Sequence, residues 1–269
     1  MAEIMGIINF TADSFYGPSR TVAAEAAERA GSMLAEGADI LDLGACSTRP
    51  GSAQPSAEEE WSRLEPGLKA IRKAFPEAQI SVDTYRADVV WKAYEAIGPF
   101  LVNDISAGKL DAQMLPLVGR LGLPYVAMHM RGTPEDMQNR TGYQDITAEV
   151  TAYFEDFAEK AAQYGIQDWI LDPGFGFAKT VEQNYELLRN LDRFTALGRP
   201  VLVGLSRKSM VYKPLGITPE EALAPTQVLQ FAALERGAHI LRVHDVAEAV
   251  RTARLYSTMY TSSPGAAKR

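Results

Sequence analysis

At 269 residues and 46% hydrophobic, the chain can bury a large core, and it reads as one big domain in preference to two small ones. Its net charge of -7 argues against nucleic acid or an anionic membrane as main partner, although a local cluster of Arg and Lys can still receive a small anion. A single Cys leaves no disulfide framework, and with no signal-like leader and no window near the ~18 apolar residues of a membrane span, a cytoplasmic protein is expected.

Apolar runs of strand length alternate along the chain with segments of helical period. The runs are Ile4 to Asn9, Asp39 to Gly44, Gln79 to Asp83, Phe100 to Asp104, Pro124 to His129, Trp169 to Asp172, Pro200 to Ser206 and His239 to His244. Between them, Trp61, Leu64, Leu68, Ile71 and Phe75 line one helical face, and Ile146, Val150, Phe154, Phe157, Ala161 and Tyr164 line another. Ser56 with Glu59, Thr180 with Gln183, and Thr218-Pro219 with Glu221 read as capping boxes. Gly37, Gly98, Gly122, Gly165, Gly198 and Gly237 each fall where a left-handed C-cap precedes the next strand. Pro66 is expected to kink the second helix and Pro225 to interrupt the seventh. Residues 1–258 form the expected domain, with 259–269 a disordered tail.

Eight unalternating apolar strands, each followed by a helix, predict a parallel sheet buried on both faces. The expected fold class is α/β, as a single (β/α)8 or TIM barrel, which typically takes ~250 residues; a doubly wound open sheet is the alternative. A barrel requires functional groups at the C-terminal ends of its strands, and the sequence supplies them there.

Trp169-Ile-Leu-Asp-Pro-Gly-Phe-Gly-Phe-Ala-Lys179 sets a carboxylate at a strand tip beside a rigid turn whose glycines let backbone approach a ligand. Asp83, Asn103 and Asp172 suit the donor and acceptor edge of a planar, nitrogen-rich heterocycle, to which Lys208 adds a charged donor. Arg242, His244, Thr48 and Arg49 suit a phosphate or pyrophosphate, with Arg242 and His244 on one face of a strand at period two. Asn9 and Asp13 offer oxygen donors for a Mg²⁺ that screens the same phosphates, and Phe175 and Pro50 offer an apolar slot. His239, at the opposite barrel face, reads as structural, and His129 as a packed or supporting residue.

Met5-Gly-Ile-Ile-Asn-Phe-Thr-Ala-Asp-Ser-Phe15, Ser47-Thr-Arg-Pro-Gly51, Ser81-Val-Asp-Thr84, Asn103-Asp-Ile105, Met128-His-Met130, Asp172-Pro-Gly-Phe-Gly-Phe177, Ser206-Arg-Lys-Ser209 and Arg242-Val-His-Asp245 follow in order at successive strand ends. Through them the chain resembles the dihydropteroate synthase family over nearly its whole length. The resemblance implies condensation of p-aminobenzoate with 6-hydroxymethyl-7,8-dihydropterin pyrophosphate, giving dihydropteroate and pyrophosphate in folate biosynthesis. It implies that Asp83, Asn103, Asp172 and Lys208 hold the pterin, and that Asn9, Thr48, Arg49, Arg242 and His244 hold pyrophosphate, Asn9 with its Mg²⁺. The loops carrying Asp13 and Thr48-Arg49-Pro50 would close over the site, and Thr48, Pro50, Phe175, Arg207 and Ser209 would form the aminobenzoate pocket, a sulfonamide target.

The implied catalytic group is Asp83, Asp172, Lys208, Arg242 and His244, acting by dissociation of pyrophosphate before attack by the amine, with no covalent role for Ser206, Ser209 or Cys46. A homodimer through the last helices is also implied. Ala12 stands where the family commonly has Pro, Cys46 where it has Glu, Ala224-Pro-Thr-Gln departs from the usual entry to the last helices, and no leading hairpin precedes the first strand, so floor stability is expected from side chains. A corrinoid-dependent methyl transferase would keep Asp83, Asn103 and Asp172 without needing the phosphate groups, and a non-catalytic pterin-binding protein would bind without turnover.

Overall fold

The computed structural model describes residues 1–10, 19–46 and 55–261. Its strands are β1 (Glu3–Asn9), β2 (Ile40–Gly44), β3 (Gln79–Asp83), β4 (Leu101–Asp104), β5 (Tyr125–Met128), β6 (Trp169–Asp172), β7 (Leu202–Val203) and β8 (Ile240–Val243). The helices that position the site are α1 (Ser19–Glu36), α2 (Ala57–Ala74), α3 (Ala87–Ile97), α4 (Met114–Leu121), α5 (Ile146–Gln163), α6 (Val181–Arg189), α7 (Leu191–Thr195), α8 (Ser209–Tyr212), α9 (Leu223–Glu235) and α10 (Val246–Thr261).

All the strands pair in parallel, in the order β6-β5-β4-β3-β2-β1-β8-β7. The gap between β6 and β7 is bridged where Leu171 meets Val201, with the Leu171 amide donating to Pro200 O at 3.0 Å. The expected (β/α)8 barrel is therefore the observed fold.

Strand residues pointing outward join the helices in the main core, in which Leu41, Leu43, Val82, Val102, Tyr125 and Leu171 are fully buried. Those pointing inward make a separate layer of Met5, Ile40, Leu101, Val126, Ile170, Leu202 and Ile240, which fills the lower barrel. Alternation along each strand thus divides one apolar run between two cores.

Both Ser56/Glu59 and Thr180/Gln183 form complete capping boxes. All six glycines expected at helix ends have positive φ, from 63° at Gly122 to 104° at Gly37. Thr218 instead precedes a short 3-10 turn at Glu220–Ala222, with its amide donating to Glu221 Oε2 at 2.9 Å. Pro66 lies inside α2 without ending it, and Pro225 falls in the first turn of α9, where a missing N–H breaks no helical bond, so it does not interrupt that helix. The seventh strand is shorter than the expected Pro200 to Ser206 because Lys208 N folds back onto Leu205 O. Helix α10 runs through Thr261, three residues past the expected end of the domain at 258, and Tyr260 Oη donates to Glu235 of α9 at 2.8 Å; the remainder of the tail lies outside the described residues.

Candidate active site

Two residues above the apolar floor of the barrel, the same inward-facing rows turn polar. Ile40 is followed by Asp42, Leu101 by Asn103, Ile170 by Asp172, and Ile240 by Arg242 and then His244. Register sets neighbouring tips side by side: Asn9 faces Gly44, Gly44 faces Asp83, and Asp83 faces Asn103. Gly44 keeps this rim open, since a Cβ there would lie 3.2 Å from that of Asp83.

Arg242 is the hub of the polar layer. Its Nε donates to Asp42 Oδ2 and its Nη2 to Asp83 Oδ2, each at 2.7 Å. Asp42 is fully buried and also accepts from Ser81 Oγ at 2.6 Å and from Asn103 Nδ2 at 3.2 Å. A buried carboxylate needs such saturation, because stripping it of water costs several kcal/mol unless donors replace the water (about 20 kcal/mol in the idealised limit). Burial opposes the charge on Arg242, but Asp42 and Asp83 outweigh it and hold the guanidinium protonated. Burial likewise pushes the Asp83 carboxyl above its ordinary range; Arg242 pulls it back and Asp42 pushes it up again.

Asp172 ends β6 at the start of the glycine turn. Its Oδ1 accepts from Gly174 N at 2.8 Å. Burial raises its pKa, opposed first by Lys208 and then by the Gly174 bond and Arg242. Lys208 reaches into the barrel from the β7 loop, its Nζ passing Gly204 at a distance where an added Cβ would be in ordinary contact, 3.6 Å. That ammonium donates to Phe175 O at 2.6 Å and lies 4.8 Å from the Phe177 ring centroid. Burial lowers its pKa to about 8, against the pull of Asp172. Phe175 is itself fully buried, so Phe177 is the half-exposed ring beside Lys208.

On the adjoining β8 loop, His244 Nδ1 lies 3.0 Å from Ser206 Oγ, which also accepts the His244 amide at 3.3 Å. Burial and then the Arg242 charge lower the imidazole pKa, so the ring is neutral at pH 7. Arg207, in a left-handed conformation at φ 53°, makes a two-pronged ion pair with Asp245 at 2.9 Å per contact and donates to Pro219 O and Glu220 O. Its guanidinium is thus turned onto the β8 loop, while Ser209 stands half-buried at the start of α8. His239 lies at the floor end, where Nδ1 accepts the Val201 amide at 3.1 Å, in keeping with its structural reading.

Asn9 is half-buried at the tip of β1. Among the described residues no group of three or more His, Cys, Asp or Glu side chains gathers for a metal. The Asn9 side-chain amide oxygen is a hard donor of the kind that fits a Mg²⁺ carried by phosphate oxygens. Asp13, Thr48, Arg49 and Pro50 lie outside the described residues.

Three groups escape a reading confined to strand tips. Asp42 sits one step below the tips, and its signal is a carboxylate alone in the apolar run Ile40-Leu-Asp-Leu-Gly44. Lys179 is 4% exposed beneath the glycine turn, where His129 is 3% exposed. Glu60, on the inner face of α2, is buried against Arg86, whose guanidinium also reaches Pro55 O at 2.6 Å and Cys46 Sγ at 3.6 Å.

The chain is similar to known proteins over most of its length. A family model described as pterin binding enzyme matches residues 5–244. Dihydropteroate synthase of Escherichia coli K12 is 41% identical over 260 residues, covering 94% of this chain and 90% of that protein. The crystal structure of Yersinia pestis dihydropteroate synthase with a sulfonamide drug superposes with a TM-score of 0.90 at 36% identity, over 97% of this chain and 95% of that one. That of the Thermus thermophilus enzyme in complex with 4-aminobenzoate superposes with a TM-score of 0.85 at 38% identity, over 96% and 95%. Among the described residues no helix is long and apolar enough to cross a membrane.

Proposed function

The chain belongs to the dihydropteroate synthase family of pterin-binding enzymes, and from that premise we propose how its own residues perform the family's transfer reaction. The protein is a transferase that condenses p-aminobenzoate with 6-hydroxymethyl-7,8-dihydropterin pyrophosphate to give 7,8-dihydropteroate in folate biosynthesis. The observation that carries the residue assignments is the convergence of Asp83, Asn103, Asp172 and Lys208 on one barrel mouth, directly above the Arg242–Asp42 pair.

The pterin lies in this mouth, its amino and ring N–H groups facing Asp172 and Asp83 and its carbonyl facing Asn103 and Lys208. Pyrophosphate takes the rim at His244, with Arg242 using the donors its carboxylates leave over. Asn9 would hold a Mg²⁺ brought by the pyrophosphate, and the ion would supply charge neutralisation of the leaving group. The C–O bond breaks first, its electron pair leaving with pyrophosphate, and Asp83 and Asp172 stabilise the cation spread over the pterin. The amine of p-aminobenzoate then forms the C–N bond and loses a proton to solvent. Its ring packs by Phe177 and Lys208 over the buried Phe175, and its carboxylate faces Ser209; Arg207 acts on this pocket by fixing the loop. A sulfonamide resembles p-aminobenzoate in ring and anionic end, so it competes for the same slot.

Val228, Leu255, Met259 and Tyr260 are 55–68% exposed on α9 and α10, an apolar face that suits the homodimer implied by the family.

The test is pyrophosphate release from the dihydropterin pyrophosphate, with and without p-aminobenzoate and with and without Mg²⁺. Mg²⁺-dependent release that yields dihydropteroate with the amine, and persists slowly without it, supports this reading. Pterin binding with no release defeats the mechanism and favours a binding protein.

A further inference from the structure

Lys179 lies outside every role assigned above, yet it is a lysine only 4% exposed, with no carboxylate of the described residues in hydrogen-bond contact. Its Nζ lies 2.9 Å from Gly174 O, 2.9 Å from Phe177 O and 3.0 Å from His129 Nδ1. These three short contacts match the three N–H bonds of an ammonium, with His129 O a longer fourth contact at 3.4 Å, and they require His129 to be neutral with its proton on Nε2. The same turn is pinned by Lys208 on Phe175 O, and by Gln138 on Gly176 O. Consecutive carbonyls from 174 to 177 are therefore each taken by a side-chain donor, two of them by one ammonium.

From this geometry we infer that Lys179 is a positioning residue for the transfer reaction: it holds the 174–177 turn, and through it Asp172, in the shape that receives the pterin. The inference rests on the functional reading above. Gly174, at φ 73°, packs so closely on His129 O that no side chain fits, which sets the turn directly against the end of β5 where the latch is made. The buried charge also bears on Asp172 from below while Lys208 bears on it from the side, and both favour its carboxylate form. Burial pulls the Lys179 ammonium down to about 7, with Asp172 opposing and Lys208 and Arg131 adding to the fall. His129 is surrounded by Lys179, Lys109 and Arg131, which keep it neutral together with its burial. Below about pH 7 the latch is a cation donating to neutral acceptors, and as pH rises through that value it becomes an amine with one N–H fewer.

Lys179→Met keeps the aliphatic stem and removes the donors. Its KM for the dihydropterin pyrophosphate rises about tenfold or more, with a smaller change in kcat, as expected for loss of a charged donor to buried carbonyls. Lys179→Gln, which donates without charge, recovers part of that loss, and direct binding of the pterin follows the same order. Equal pterin affinity in wild type and folded Lys179→Met protein overturns the inference alone; failure of the wild type to bind the pterin overturns it together with the functional reading. Should the variants not fold, the wild-type lysine ammonium NMR spectrum decides. One slowly exchanging ammonium that shifts when the pterin binds is expected, and its absence or indifference to the ligand overturns the proposal.

Discussion

Arg242 Nε donates to Asp42 Oδ2 at 2.7 Å, joining two residues 200 positions apart into the base on which the pterin site rests. Arg242 therefore meets its substrate with part of its donor set already engaged, which fixes the orientation of what remains.

Removing Asp42 is predicted to be more damaging than removing a rim residue. Asp42→Ala leaves the half-buried Arg242 with one partner lost and the buried Asn103 and Ser81 without their acceptor, and should destabilise the fold by about 3–5 kcal/mol. Urea unfolding measures this, and a change below about 1 kcal/mol would show that Arg242 relaxes onto Asp83 alone.

Lys208 makes pterin binding sensitive to pH. Its folded pKa is near 8, against an ordinary 10.5, so the ammonium offered to the pterin disappears as pH rises through about 8. The KM for the pterin substrate should rise over that range and lose this step in Lys208→Met. For stability the sign is opposite: below about 8 the full cost of burying the charge is present, and between 8 and 10.5 the unfolded chain binds more protons, so this group's penalty falls as pH rises.

Cys46 is the only cysteine, which makes it a clean reporter on the Glu60–Arg86 pair. Burial first, and then Glu60, raise its thiol pKa, so it should react slowly with a disulfide reagent at pH 8. Glu60→Gln removes that carboxylate and weakens the hold on Arg86, and the labelling rate should increase by about tenfold or more. Equal rates in the two proteins would place control of Cys46 elsewhere.

Leu255→Glu together with Met259→Glu puts two charges on the exposed face of α10, and is predicted to convert a dimer to a monomer with its helix content unchanged. Sedimentation equilibrium distinguishes the two masses, and a wild type that sediments as a monomer removes the homodimer from the reading.

Much of this arrangement is legible in the sequence because a parallel barrel puts its chemistry at strand tips, and tips are bounded by Gly, Pro and polar runs. Asp83, Asn103, Asp172 and His244 stand out that way. Asp42 does not, because it lies one inward step below the tip of β2, where polarity is visible only against the two-residue alternation. Lys179 and His129 are 50 residues apart and meet through the turn between them, a contact that no local pattern encodes. Pro225 reads in sequence as an interruption because the start of α9, and so its place in the first turn, is set by the preceding 3-10 turn and not by the residues around the proline.

The stitching between the β7 and β8 loops carries a further consequence. Ser206 holds His244 and Arg207 grips Asp245, while the next residue, Lys208, points into the barrel. The group that greets the ring and the group that greets the phosphates therefore belong to one rigid body, and orienting one orients the other. A ligand that spans both should gain more than the sum of a bare pterin and free pyrophosphate, because the loss of its own tumbling is counted once instead of twice.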